Sequence, residues 1–163
     1  DIFVSKFNAT GDLVWANVMG SAYGEWAESI TLDAAGDVVL TGYFRLTVDF
    51  DPGAGDASLT TIGGVDMFVL KLTPAGTYIW AKQIGGAGAD ATGLSLITDS
   101  DNNCYLAGKY GNTVDFDPGA GDVSRTSEGS QDIFVLKLTP FCTNNYRDYF
   151  RISSNKNEIS LPK

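Results

Sequence analysis

Apolar residues in this chain recur in short runs at every second position. In residues 132–138, DIFVLKL, Phe134, Leu136 and Leu138 fall on one side of an extended strand, and Ile133 and Val135 fall on the other, because successive strand side chains point to opposite faces. A sheet with one wet face alternates apolar with polar. Here both faces are apolar, which predicts sheets covered on two sides. Similar runs occupy residues 66–72, 78–84, 94–98 and 104–110, separated by Pro74-Ala75-Gly76, a glycine-rich stretch at 85–93, and Ser100-Asp101-Asn102-Asn103. Those connectors supply positive φ or pre-set turn geometry. The pattern predicts four antiparallel strands and then a longer loop, forming one up-and-down sheet.

The same unit is written more than once. Residues 1–7 (DIFVSKF) return as 66–72 (DMFVLKL) and 132–138 (DIFVLKL), and 13–17 (LVWAN) returns as 78–82 (YIWAK). The nine residues 48–56, VDFDPGAGD, recur letter for letter at 114–122. The offset is 65 early in the unit and 66 later, with one residue inserted before Ser95. Tandem copies at such a period signal an array of supersecondary units, each covering its neighbour's apolar face. Four-stranded up-and-down units with two apolar faces stack around an axis or in a linear pile, and the propeller is the commoner solution. The predicted fold class is therefore all-β: four-stranded antiparallel propeller-type blades in tandem, about two blades plus part of a third. The units run from about 1 to 65 and 66 to 131, with a partial unit at 132–140.

The ordered anchors DIFVxKL, Gly, WAK, Gly-Gly and a glycine-ended strand resemble the beta-propeller repeat family called SBBP, over residues 1–140. The DFDPGAG insert resembles versions found in secreted proteins of Bacteroidetes-type bacteria. This resemblance implies a many-bladed propeller on a secreted or cell-surface protein, with no shared catalytic activity. It also implies that the strands at 29–33 and 95–99 lie nearest the axis and that 14–18 and 78–84 lie outermost. Closure normally needs at least four blades, so the chain reads as a fragment of a larger propeller, or as one that closes by self-association or through its tail. Residues 141–163 leave the pattern and read as a closing strand, around Tyr149 to Ile152, or as a linker.

Composition narrows the function more than it names it. The net charge is −9, and residues 1–140 hold 18 acidic against 7 basic side chains. Such a body repels a phosphate backbone, which argues against nucleic-acid binding. No apolar run approaches the ~20 residues of a membrane helix. The chain contains no histidine, which removes histidine triads and histidine-ligated zinc. Cys104 and Cys142 either pair or stay apart. Cys104 stands where the other copy has Val38, which favours a buried thiol.

The doubled loop is the strongest candidate for chemistry. Asp49, Asp51 and Asp56, with their twins Asp115, Asp117 and Asp122, set carboxylates on a tight glycine-bearing turn, the hard-oxygen chemistry that Ca²⁺ uses. The match to a calcium loop is partial, since Gly53 takes the fifth position and Thr60 the twelfth. Against it stands the reading of Asp-Pro-Gly as a turn whose acid caps its own backbone. The turn acids Asp33, Asp37, Asp99 and Asp101 read the same way. Tyr23 and Trp26 form a second candidate, an aromatic platform for a sugar or a protein partner. Trp26 has no aromatic counterpart in the next copy, where Ala91 or Thr92 stands. Trp15 and Trp80, which do correspond, are predicted core residues.

No residue pattern specifies catalysis, and most of the acids recur at equivalent points of both copies, as structural residues do. The functional expectation is a non-catalytic scaffold or binding module presenting loops to a glycan or protein partner. The alternatives are an architectural repeat stiffened by Ca²⁺, and a non-catalytic part of a larger secreted hydrolase.

Overall fold

The computed structural model describes residues 1–139; the expectations placed on the tail, and any pairing of Cys142, lie outside these residues. Every regular element among the described residues is a strand. The first sheet pairs β1 (Ile2–Phe7) with β2 (Leu13–Met19). The second holds β3 (Trp26–Leu32) and β4 (Val38–Phe44), and it continues after an insert. Within that insert β5 (Thr47–Asp49) pairs with β6 (Ser58–Thr60) as a small hairpin, after which β7 (Asp66–Leu72) and β8 (Tyr78–Ile84) complete the second sheet. The third sheet contains β9 (Asp90–Thr98) and β10 (Cys104–Gly111), interrupted by the equivalent hairpin of β11 (Thr113–Asp115) and β12 (Ser124–Thr126), and then β13 (Asp132–Leu138).

The sheets are out of phase with the sequence repeat, which corrects one expectation. The central sheet runs β3-β4-β7-β8, so it joins the second half of one repeat to the first half of the next. Strands 66–72 and 78–84 do not share a sheet with 94–98 and 104–110. The cause is the unbroken antiparallel ladder between β4 and β7, from Val38 opposite Leu72 to Phe44 opposite Asp66. The glycine-rich connection after β8 closes its own turn, with Ala89 N–H donating to Gly86 O, and Ala91 N–H at the start of β9 donates to Val65 O, both at 2.9 Å. The order places β3 and β8 on opposite edges.

Two cores lie between the three sheets, and they are built alike. In one, Ile2, Val4 and Met19 of the first sheet meet Val38, Leu40, Phe44, Phe68, Leu70 and Leu72 of the second. In the other, Val39, Met67, Val69 and Ile84 on the opposite face of the second sheet meet Leu96, Cys104, Leu106, Phe134, Leu136 and Leu138 of the third. The central sheet is thus apolar and covered on both faces, as its sequence requires. Cys104 is buried, as expected of a residue at a valine position. Trp15 and Trp80 are only half-buried against the edges of the two cores, less deep than predicted.

Polar contacts also cross the boundaries. Trp15 Nε1 and Lys6 Nζ both donate to Pro74 O, at 3.1 and 2.9 Å, and Asn17 Nδ2 donates to Gly76 O. Between the second and third sheets, Leu96 N–H donates to Ser29 Oγ and Thr98 Oγ1 to Leu32 O. Within the central sheet Lys71 Nζ reaches Asp33 at 2.6 Å and Asp37 at 3.0 Å. Burial raises the Asp33 carboxyl, but hydrogen bonds from Lys71 and from the N–H groups of Asp37 and Ala35 outweigh it and hold the carboxyl below its ordinary value.

Phe68 is fully buried at the centre of its core, so Phe68→Ala is expected to cost about 3–5 kcal/mol of unfolding free energy, measured by denaturant titration. Because the Asp33 carboxyl is more acidic folded than unfolded, its contribution is full above the unfolded value near pH 4 and is lost as pH falls through the lower folded value. Asp33→Asn should therefore be less stable than the parent at neutral pH, and the gap should close in melts run toward pH 2.

Candidate functional site

The two Asp-rich loops arise from the same strand alternation that builds the cores. In the first, Val48 and Phe50 point inward and are fully buried, with the Phe50 ring 4.9 Å from Phe68 and 5.3 Å from Phe44. Val114 and Phe116 repeat this, with Phe116 at 5.1 Å from both Tyr110 and Phe134. Asp49 and Asp51 consequently face out, half-buried, on the alternate positions, and Asp56 is exposed beyond the turn. The insert expected to be one long loop is a hairpin because Val48 and Val114 anchor its first strand in the core.

Each acid is engaged by its own loop. Asp49 Oδ1 accepts the N–H groups of Asp51 and Ala57, both at 2.9 Å; Asp51 Oδ1 accepts Gly53 N–H at 2.7 Å; Asp56 Oδ1 accepts Ser58 N–H at 3.0 Å. The twin loop is the same, with Asp115 capping Asp117 and Val123, Asp117 capping Gly119, and Asp122 capping Ser124. Hydrogen bonds from Ser58, side chain first and backbone second, lower the Asp56 carboxyl, and Ser124 does so for Asp122. A Cβ at Gly55 would lie 2.2 Å from Asp51 Oδ2, and one at Gly121 would lie 2.0 Å from Asp117 Oδ2. The glycines are there because the carboxylates fold back over them. Among the described residues no three acidic or thiol side chains gather as a metal cluster.

These loops stand beside sheet boundaries. The first lines a crevice of about 340 Å³ with Asn17 of β2 and the turn at 75–77, and the second lines one of about 350 Å³ with Leu59, Lys82 and Gln83. Asp115 N–H donates to Gly85 O at 3.0 Å, which ties the second loop to the end of β8. The turn acids follow the same capping logic: Asp33 Oδ1 accepts Ala35 and Asp37 N–H, and Asp99 Oδ1 accepts Asp101 and Asn103 N–H.

The aromatic candidate is placed differently from expectation. Trp26 opens β3 and pairs with Tyr43 across the ladder, instead of lying in the preceding connection. Its ring stacks on Tyr43 at 4.8 Å and 20°, and it stays 43% exposed. Tyr23 is exposed, with its N–H donated to Ser21 Oγ, and the stacking partner is Tyr43 in its place. Sequence reasoning missed Tyr43 because the partner lies across a strand pair and not along the chain. Tyr43 also lines a crevice of about 260 Å³ with Glu28, Asp90, Thr92, Lys109 and Gln131, between the second and third sheets.

Similarity to known proteins fits this repeated sheet architecture. A family model described as a beta-propeller repeat (SBBP) matches residues 79–109. The chain is also 27% identical over 123 residues to an uncharacterized WD repeat-containing protein of Acanthamoeba polyphaga mimivirus, a match covering 68% of this chain. That match spans 9% of the length of the viral relative. The chain is an all-β array of propeller-type blades. Among the described residues, one four-stranded blade is flanked by two strands of one neighbour and three of the next.

Asp49→Ala would strip the acceptor from two backbone N–H groups at once, and about 1–2 kcal/mol of stability should go with it. Asp56→Ala, which frees one exposed N–H, should cost less than half of that in the same denaturant titration.

Proposed function

We propose that the chain serves as a non-catalytic binding scaffold of a secreted or cell-surface protein, and that the Trp26–Tyr43 stack with the adjoining crevice receives a short glycan. The observation that supports this best is an exposed tryptophan held rigid by stacking, next to a crevice rimmed by carboxylates, an amide and an ammonium group. Sugars are bound by this combination: an aromatic face takes the apolar side of the pyranose ring, and polar groups at the rim take its hydroxyls. The extracellular placement rests on the resemblance of the repeat and its insert to secreted proteins.

In this reading the Asp loops are rigid caps that fix the hairpins to the blades. The calcium version of the scaffold would recruit the same six carboxylates, yet one oxygen of each is already committed to the backbone. Melting temperature is therefore expected to be the same in millimolar Ca²⁺ and in chelator; a rise with Ca²⁺ would reinstate the loops as cation sites.

The binding role is tested on a glycan array and then by titration calorimetry with the strongest hit. Trp26→Ala should weaken binding about tenfold or more while its far-ultraviolet spectrum and melting curve stay those of the parent. Unchanged affinity in Trp26→Ala, or an array without hits, would remove the glycan reading.

A further inference from the structure

The crevice beside Tyr43 has two unlike walls. Glu28, Tyr43 and Val65 come from the central sheet or the segment leading into β7, and Asp90, Thr92 and Lys109 come from the third sheet. On the central sheet Trp26 pairs with Tyr43 across β3 and β4; at the same register of the next sheet Thr92 pairs with Lys109. The aromatic platform is therefore present in one of these two sheets, whereas the Asp-rich hairpins are present twice.

The same crevice is short of positive charge. Among the described residues neither Glu28 nor Asp90 belongs to an ion pair, although Lys109 lines the same space. Asp90 is held against the central sheet: its backbone bridges to Val65, and a Cβ at Gly64 would lie 2.8 Å from Asp90 Oδ1. One residue beyond Val65, Asp66 is fully buried. Its Oδ2 accepts Ile62 N–H at 2.7 Å and Gln83 Nε2–H at 2.5 Å, and its Oδ1 has no hydrogen-bond partner. Burial pushes the Asp66 carboxyl above its ordinary value, against hydrogen bonds from Ile62, Gln83 and Gly63, and the charge of Asp90 adds to the rise. A buried carboxylate with a second one near it, and no ion pair for either, costs free energy that an arriving positive charge relieves.

We propose that the crevice selects a basic sugar: a hexosamine whose free, protonated amino group sits between Asp90 and Glu28, with Asp66 adding a buried negative charge behind Asp90. This rests on the glycan reading of the Trp26–Tyr43 stack and names the class of glycan. The ammonium supplies the charge that the carboxylates lack, and the neighbouring aromatic faces also attract a cation. Acetylating the amine removes that charge and leaves the carboxylates uncompensated. An acidic sugar meets Glu28, Asp90 and a body of net charge −9, against which Lys109 is a single opposing group. At about 260 Å³ the crevice is smaller than a drug-sized site and seats one ring-sized group, so the charge on that ring decides the choice.

The test is titration calorimetry of the 163-residue chain with two probes of one backbone, a glucosamine tetramer and its fully N-acetylated form. It is run at about pH 6, where a free amine carries its charge. The glucosamine tetramer should bind about tenfold or more tighter than the acetylated one. Asp90→Asn and Asp66→Asn should each bring the two affinities together. Asp101→Asn removes the same charge from the exposed turn past the far end of β9, and it should leave the ratio as in the parent. Melting curves verify that the variants fold, and Glu28→Gln, on the exposed edge of the crevice, is the substitute if either does not. Equal affinity for the two tetramers, both weakened by Trp26→Ala, would overturn the amine inference and leave the glycan reading standing. Binding confined to uncharged or acidic sugars would do the same. A short oligolysine bound as tightly as the glucosamine tetramer would also overturn it, by showing that charge alone is read. Failure of both tetramers together with an array without hits would remove this inference and the glycan reading at once.

Discussion

Burial of both faces of the central sheet is the constraint from which the remaining features follow. A strand reading DMFVLKL has no solvent side: Met67, Phe68, Val69, Leu70 and Leu72 are all at or below 1% exposed in the central sheet. Each fully covered side chain of this size contributes roughly 1.5–3 kcal/mol by removal from water, and that gain exists only when unlike sheets close on both sides. Main-chain pairing within a sheet is therefore not enough to hold one blade. The cross-boundary hydrogen bonds from Trp15, Lys6 and Asn17 to the turn at 74–76 set the lateral position of neighbours that the apolar contact alone would let slide.

The same constraint accounts for the inserted hairpins. Residues 45–65 could have been a solvated loop, but Val48 and Phe50 are drawn into the core beside Phe44 and Phe68, which leaves the intervening acids at the surface. Once there, each carboxylate serves the nearest unpaired N–H. The verbatim repetition of VDFDPGAGD thus has two physical sources, apolar anchors at Val48 and Phe50 and backbone caps at Asp49, Asp51 and Asp56, and the glycines clear room for the folded-back Asp51 and Asp117.

Much of the fold was legible in the chain because its signals are local and repeated. Period-two alternation on both sides of 66–72 gave the strand, its faces and their burial together. The sheet grouping was not legible, because the pairing of β4 with β7 spans the insert, and a short connection at 85–89 looks in sequence like any hairpin turn. The site was read in part. Asp49 and its companions announced a turn, and they make one. Trp26 announced an exposed aromatic, but its partner Tyr43 lies across the ladder at a distance that spacing along the chain does not encode.

The half-unit offset between repeat and sheet bears on how such an array grows. Duplicating one 65-residue segment never adds a self-contained blade; it adds the last two strands of one sheet and the first two of another. Every new copy is thus stitched to its neighbours through shared backbone pairing, much as overlapping courses bind brickwork. Gain or loss of whole repeats leaves the internal joints intact and only moves the place where the array ends.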